Sequence, residues 1–231
     1  MSVKIPGYIA GWCLLAAVAQ SSAQAQESSH LSILGSVISS ACSLTISTPT
    51  VDFTGLTAGA LQLHADNGVY TAREKSVPFN VTCNGLTYVA LSAKADTPAT
   101  TGLTAYPTYD SGKEASTNKV NEQISLAVDA QAKDTVVGTI MLKGSDVVED
   151  GSRQQYIVYK EDQTYWELAP QKIMRQNSGG YYSWGRNGST YAGNVVNGVF
   201  IVNVNLAQSA VDTMTDALTF NGGTTITLHY V

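Results

Sequence analysis

The chain has 231 residues, a formal net charge of −5, and 13% charged against 44% hydrophobic residues. The charged fraction is about half the usual ~25%, which excludes a long helical bundle or coiled coil built from Glu, Lys and Arg. The hydrophobic share excludes a disordered chain and is enough for one well-buried domain. The acidic balance lacks the electrostatic footprint of a nucleic-acid binder.

In chain order, the first feature is an export signal. Lys4 is the only charged side chain before Glu27, and Ile9 to Ala19 is an almost unbroken apolar run. Ala23-Gln24-Ala25 then has the small-x-small form of a signal-peptidase site. A transmembrane anchor needs ~20 apolar residues, more than this run supplies. Residues 1–25 are therefore expected to be a cleaved signal peptide.

The segment after it, 26–41, is mostly uncharged and alternates: Leu31, Ile33, Gly35 and Val37 occupy every second position. Such an extended arm needs an apolar groove to lie in, or else forms an ordinary first strand. The other face carries Leu34 and Ile38, so alternation alone does not fix the register. Removal of the signal takes Cys13 with it and leaves Cys42 and Cys83. Two cysteines in an exported chain read as one disulfide. Closing a loop of about 40 residues contributes ~4 kcal/mol in the chain-entropy account.

The body, 42–231, reads as strands. Val77, Phe79, Val81 and Cys83 alternate with polar neighbours, a period of two with the cysteine on the buried face. Asn84-Gly85 follows as a turn signal. Thr97 to Lys119 is rich in Thr, Pro, Gly and Ser and reads as a long surface loop. Further strands are expected at Ile124–Val128, Val136–Leu142, Gln154–Lys160 and Thr164–Leu168. Asp146, Glu149 and Asp150 read as solvated charges at a turn. Phe200, Val202, Val204 and Leu206 alternate with Ile201, Asn203 and Asn205, entered through an Asn197-Gly198 turn. Ala207–Leu218 has some helical character, and in the last run Ile226, Leu228 and Tyr230 share one face. Many short strands with Gly, Asn and Asp turns are the signature of a sandwich or barrel.

Between the strands, Asn177–Gly198 carries Tyr181, Tyr182, Trp184 and Tyr191 among glycines, serines and asparagines. Two readings stand. The rings form a carbohydrate-stacking surface, or they belong to a long hairpin and cover the edge of the sandwich. The search for chemistry finds little. His30, His64 and His229 have no metal-ligand spacing, and a nucleophile elbow, a P-loop and a dinucleotide fingerprint are absent. Ser116-x-x-Lys119 lacks the companion motifs of a serine acyl-transferase. No enzyme, metal site or cofactor is expected.

Taken in order, the signal segment, the alternating arm with Gly35 two residues after Ile33, the Cys42–Cys83 pair with Val81-Thr82-Cys83, and Tyr230 beside the C-terminus form a pattern. It resembles the subunits of chaperone–usher fimbriae, the pilins. The resemblance implies an all-β, immunoglobulin-like β-sandwich lacking its final strand, with an N-terminal donor-strand extension. It also implies export through the periplasm to a cell-surface fimbrium, and three partners: a periplasmic chaperone, an outer-membrane usher and neighbouring fimbrial subunits. Assembly would proceed by strand addition. Leu31, Ile33, Gly35 and Val37 would fill a neighbour's groove, with Gly35 at its shallowest point. Ile226, Leu228, Tyr230 and Val231 would form one groove wall and dock on the chaperone. The chain is longer than a typical shaft subunit, the excess sitting between Thr97 and Gly198, so a shaft role and a minor role both stay open. The alternative function is a secreted carbohydrate-binding β-sandwich module that meets host or surface glycans through Tyr181–Tyr191.

Overall fold

The structure is a computed structural model and describes residues 41–100, 102–110, 116–128, 136–159, 165–169, 171–176, 180–186 and 189–231. The expected signal segment and arm, with Leu31, Ile33, Gly35 and Val37, lie outside the described residues. The described chain forms strands β1 (Cys42–Ile46), β2 (Gln62–His64), β3 (Val69–Thr71), β4 (Lys75–Thr87) and β5 (Val89–Ala95). There follow β6 (Ile124–Ala127), β7 (Val136–Glu149), β8 (Ser152–Tyr159), β9 (Glu167–Leu168), β10 (Tyr181–Arg186) and β11 (Ser189–Thr190). The last elements are β12 (Gly193–Ala207), a short helix α1 (Gln208–Asp212) and β13 (Thr224–Tyr230).

The fold is all-β and antiparallel, with strand order β1-β4-β12-β7-β8-β10-β5-β13. Two features curl this path over on itself. β4 and β5 are separated only by Tyr88, yet they belong to different layers. β8 pairs with β7 through Ser152–Gln154 and with β10 through Gln155–Tyr159, so it passes from one layer to the other. The β7–β8 hairpin is closed by Asp150 (φ 44) and Gly151 (φ 81). Asp150 also accepts hydrogen bonds from the Asn194 and Val195 N–H groups, which ties the turn to the start of β12.

The core lies between the layers because the alternating apolar residues face inward. Val77, Phe79 and Val81 of β4 and Phe200, Val202 and Val204 of β12 meet Leu91 of β5 and Tyr182 and Trp184 of β10. Phe79 and Phe200 stack at 4.4 Å between ring centroids. The predicted core faces of β4, β6, β12 and β13 are thus found. The two Asn-Gly pairs, in contrast, are not turns. Asn84-Gly85 lies inside β4 and Asn197-Gly198 inside β12. Gly198 sits opposite Phe79, and a Cβ there would come 2.2 Å from the ring. Its role is close approach, not a left-handed turn.

The outer face of β12 is also covered, contrary to its polar appearance. Asn203 and Asn205 are fully buried. Asn205 accepts from the Tyr106 N–H and the Thr71 hydroxyl, and donates to the Tyr106 carbonyl. Asn203 donates to the Ala72 carbonyl. The segment expected as a surface loop therefore folds back onto the sheet: Ala99, Ala105, Tyr106 and Thr117 are buried. Ala105, Met141 and Ile173 form a second small apolar cluster there, on the face of β7 opposite Leu142. Thr164–Leu168 is reduced to the two residues of β9 among the described residues, and the helical stretch after β12 to the single turn of α1.

Replacing Gly198 by Ala should destabilise the fold by about 1–3 kcal/mol through overpacking. Chemical denaturation should show that Phe79→Leu, which shortens the clashing ring, recovers part of the loss. Equal effects of Gly198→Ala in both backgrounds would contradict the ring-contact account.

Candidate functional site

The two ends of the sheet path come close to each other without pairing. Among the described residues β1 pairs only with β4, and β13 only with β5, so each leaves one backbone edge open. The edges are linked at one point, where the Cys42 N–H donates to the Tyr230 hydroxyl over 2.9 Å. The same end carries the Cys42–Cys83 disulfide. These residues stand directly opposite in the β1–β4 ladder, with 4.1 Å between their Cα atoms. At this end the Val231 N–H also donates to the Tyr88 carbonyl.

Inside this seam the core is incompletely covered. The inward positions of β1 (Cys42, Leu44, Ile46) and of β13 (Ile226, Leu228) are only half-buried, although they pack against fully buried core residues. The equivalent positions of the interior strands, such as Val81 and Leu91, are at 0% exposure. Beyond the ends of β1 and α1 the seam widens into an apolar groove of about 500 Å³. Val51, Phe53 and Leu56 line one side, and Met214, Leu218 and Phe220 the other. Lys75 reinforces the first wall by donating to the Asp52 carbonyl and lying over the Phe53 ring. Hydrogen bonds from Thr54 hold the Asp52 carboxyl below its ordinary pKa, so the rim stays anionic. Among the described residues this arrangement offers two strand edges and one apolar groove.

The four aromatics expected as a glycan surface separate. Trp184 (0% exposed) and Tyr182 (1%) are core residues on β10, which corrects the expectation of four stacking rings. The strand was hidden by its small neighbours, for Ser183 is itself buried and donates to the Val89 carbonyl. Tyr181 is half-buried and meets the His229 ring edge-on at 4.9 Å. Tyr191 alone of the four is largely exposed. His229 also shares a hydrogen bond with the Ser92 hydroxyl at 2.8 Å.

Glu149, expected to be solvated, is buried beneath Gly193 and accepts a hydrogen bond from the Trp184 indole over 3.1 Å. Burial raises its pKa above the ordinary carboxylate value; the Trp184 bond opposes this, and the neighbouring Asp150 charge adds to it. Tyr182 is pushed up to about 12, chiefly by burial, and therefore remains protonated at neutral pH. Among the described residues no cluster of His, Cys, Asp or Glu could hold a metal ion.

Comparison with protein-family models, with curated proteins and with solved structures gives no match.

The raised pKa of Glu149 makes its protonated form the one the fold favours. Its contribution is fully present below the unfolded pKa and is lost as pH rises through the folded one. Thermal melts of wild type should therefore lose stability across that window, and Glu149→Gln should flatten the dependence. Trp184 emission should titrate in wild type and not in the variant. An unchanged pH slope in Glu149→Gln would contradict this assignment.

Proposed function

We propose that this chain is a structural subunit of a chaperone–usher fimbria, polymerising by donor-strand exchange and supporting surface attachment. The observation that carries the reading is the open seam. Two edge strands lie at the ends of the sheet path beside a half-covered core, and a mostly uncharged segment with Leu31, Ile33, Gly35 and Val37 at alternate positions precedes the first of them. The alternating stretch Leu31–Val37 has the length of β13, which has seven residues, so a single donated strand can run the length of that edge.

The energetics fit such an exchange. Burial of Leu31, Ile33 and Val37 contributes roughly 5–9 kcal/mol at about 1.5–3 per side chain, before the entropy of ordering the arm. This is comparable with a whole domain's stability of ~5–15 kcal/mol. Until the seam is filled, an uncovered core and two open edges invite aggregation. A chaperone strand would cover them in the periplasm, and the next subunit's arm would replace it at the usher. Because donor and acceptor surfaces differ, the contact is heterologous and generates an open filament. Ile226, Leu228 and Tyr230 would form the β13 wall, and the disulfide would anchor the β1 wall to β4.

The alternative of a secreted carbohydrate-binding module resting on Tyr181, Tyr182, Trp184 and Tyr191 is weakened by the burial of its two central rings.

Gly35→Arg should abolish subunit-to-subunit polymerisation in a reconstituted chaperone and usher assay while leaving the acceptor seam able to receive a wild-type arm. Ladders of Gly35→Arg multimers at wild-type yield would refute the proposal.

A further inference from the structure

A second cavity, of about 330 Å³, is built by three segments and shares no lining residue with the apolar groove. The turn before β6 supplies Lys119 and Glu122, the segment between β9 and β10 supplies Lys172, Ile173 and Arg175, and β10 supplies Tyr182. Backbone hydrogen bonds hold the middle segment against β7: the Gly144 N–H donates to the Lys172 carbonyl and the Met174 N–H to the Leu142 carbonyl. The Gln176 N–H donates to the Asn121 carbonyl and joins it to the turn. The walls are thus fixed by the sheet. The volume lies at the lower end of the range for small-molecule sites.

The polar groups in this cavity are incompletely used. Glu122 is 6% exposed. Its Oε1 receives the Lys119 ammonium at 3.4 Å, while Oε2, equally buried, has no hydrogen-bond partner. A buried carboxylate oxygen without a donor is unfavourable, and such an exception calls for an explanation. The Tyr182 hydroxyl accepts the Arg175 N–H over 2.6 Å, which leaves its own proton to be donated. Lys172 holds a left-handed backbone (φ 54), a conformation that is strained for a side chain and that collects at ligand sites. Three cations against one carboxylate leave the cavity net positive, and Ile173 adds an apolar patch.

We propose that this cavity binds an acidic saccharide, a sugar ring bearing a carboxylate. The arrangement asks for a ligand that donates a hydroxyl hydrogen bond to the Glu122 carboxylate and presents an anionic group to Arg175 and Lys172. It must also lay a small apolar face on Ile173. A simple anion meets only the second demand and is repelled by Glu122. A neutral sugar meets only the first and third. A cationic ligand is opposed by the net positive charge. The site is formed by one chain and is independent of strand exchange, so it stands or falls separately from the assembly reading. In a filament it would repeat on every copy, and weak single-site affinity would be multiplied by avidity.

The test titrates the folded mature chain with methyl glucuronide and with the methyl glycoside of N-acetylneuraminic acid. Methyl glucoside, acetate and inorganic phosphate are the controls, and amide chemical shifts are the readout. Saturable shifts confined to residues 119–123 and 171–182 are expected for at least one acidic sugar and for no control. Glu122→Gln discriminates between mechanisms. It should weaken acidic-sugar binding about tenfold if the carboxylate accepts a hydroxyl, whereas a plain anion trap would tighten once the negative charge is gone. Arg175→Gln should weaken binding comparably. Shift mapping on the wild type stands without either variant, should one fail to fold. No saturable shifts, shifts elsewhere, equal response to acetate or phosphate, or tighter binding by Glu122→Gln would each overturn the proposal.

Discussion

A sheet that curls over an apolar core must either close on itself or leave two edges beside a strip that needs cover, and among the described residues two edges remain. β1 and β13 are the ends of one antiparallel path, and among the described residues each pairs on one side only. They meet through the bond between the Cys42 N–H and the Tyr230 hydroxyl. Leu44, Ile46, Ile226 and Leu228 on these two strands are half-buried. An unpaired backbone edge and an open apolar strip are each unfavourable in water, and one extended segment with an apolar face relieves both at once. The disulfide matters for the same reason. It pins β1, which has few neighbours of its own, to β4 at the end of the seam where the edges touch.

The remainder of the molecule keeps this open structure rigid. β12 is the central strand, paired with both β4 and β7, and over Val202–Leu206 it is buried on both faces. Its inner face carries Phe200, Val202 and Val204. Its outer face carries Asn205, which hydrogen-bonds the Tyr106 backbone and holds it against the sheet, and Asn203, which donates to the Ala72 carbonyl. Buried amides of this kind are favourable only when fully partnered, and here the partners are backbone groups that would otherwise be unsatisfied. The same added layer supports the walls of the Glu122 cavity, so the length beyond a minimal sandwich is where the second site resides.

Part of this was legible in the sequence, for physical reasons. Where one face of a strand is buried, a period of two is enforced, so Val77–Cys83 and Phe200–Leu206 could be assigned with the correct inward residues; in the last strand Ile226 and Leu228 are half-buried while Tyr230 is exposed. The disulfide followed from the two cysteines left once residues 1–25 are read as a cleaved signal. Other features were concealed. Gly85 and Gly198 resemble turn glycines, but neither has the positive φ that marks Gly55, Gly68 and Gly151; at Gly198 the absence of a Cβ admits the Phe79 ring. Tyr182 and Trp184 sit two residues apart, which is the strand signal, yet the glycines and serines around them suggested a loop. Glu149 looked like one of three turn charges because nothing local shows that Gly193 and Trp184 close over it. The Glu122 cavity unites residues far apart in the chain, and no spacing rule reaches that far.

The central claim is that the fold is one strand short, and thermal unfolding of two periplasmically expressed proteins tests it most directly. One is the chain begun at Ser40; the other is the same chain with Ser29–Ser39 grafted after Val231 through a flexible linker. An open seam predicts that the grafted protein is a soluble monomer melting tens of degrees higher, since a strand worth several kcal/mol raises the melting temperature of a domain of this size steeply. If the two proteins are equally soluble and melt together, the seam between β1 and β13 does not accept this segment, and the account of an incomplete fold is wrong.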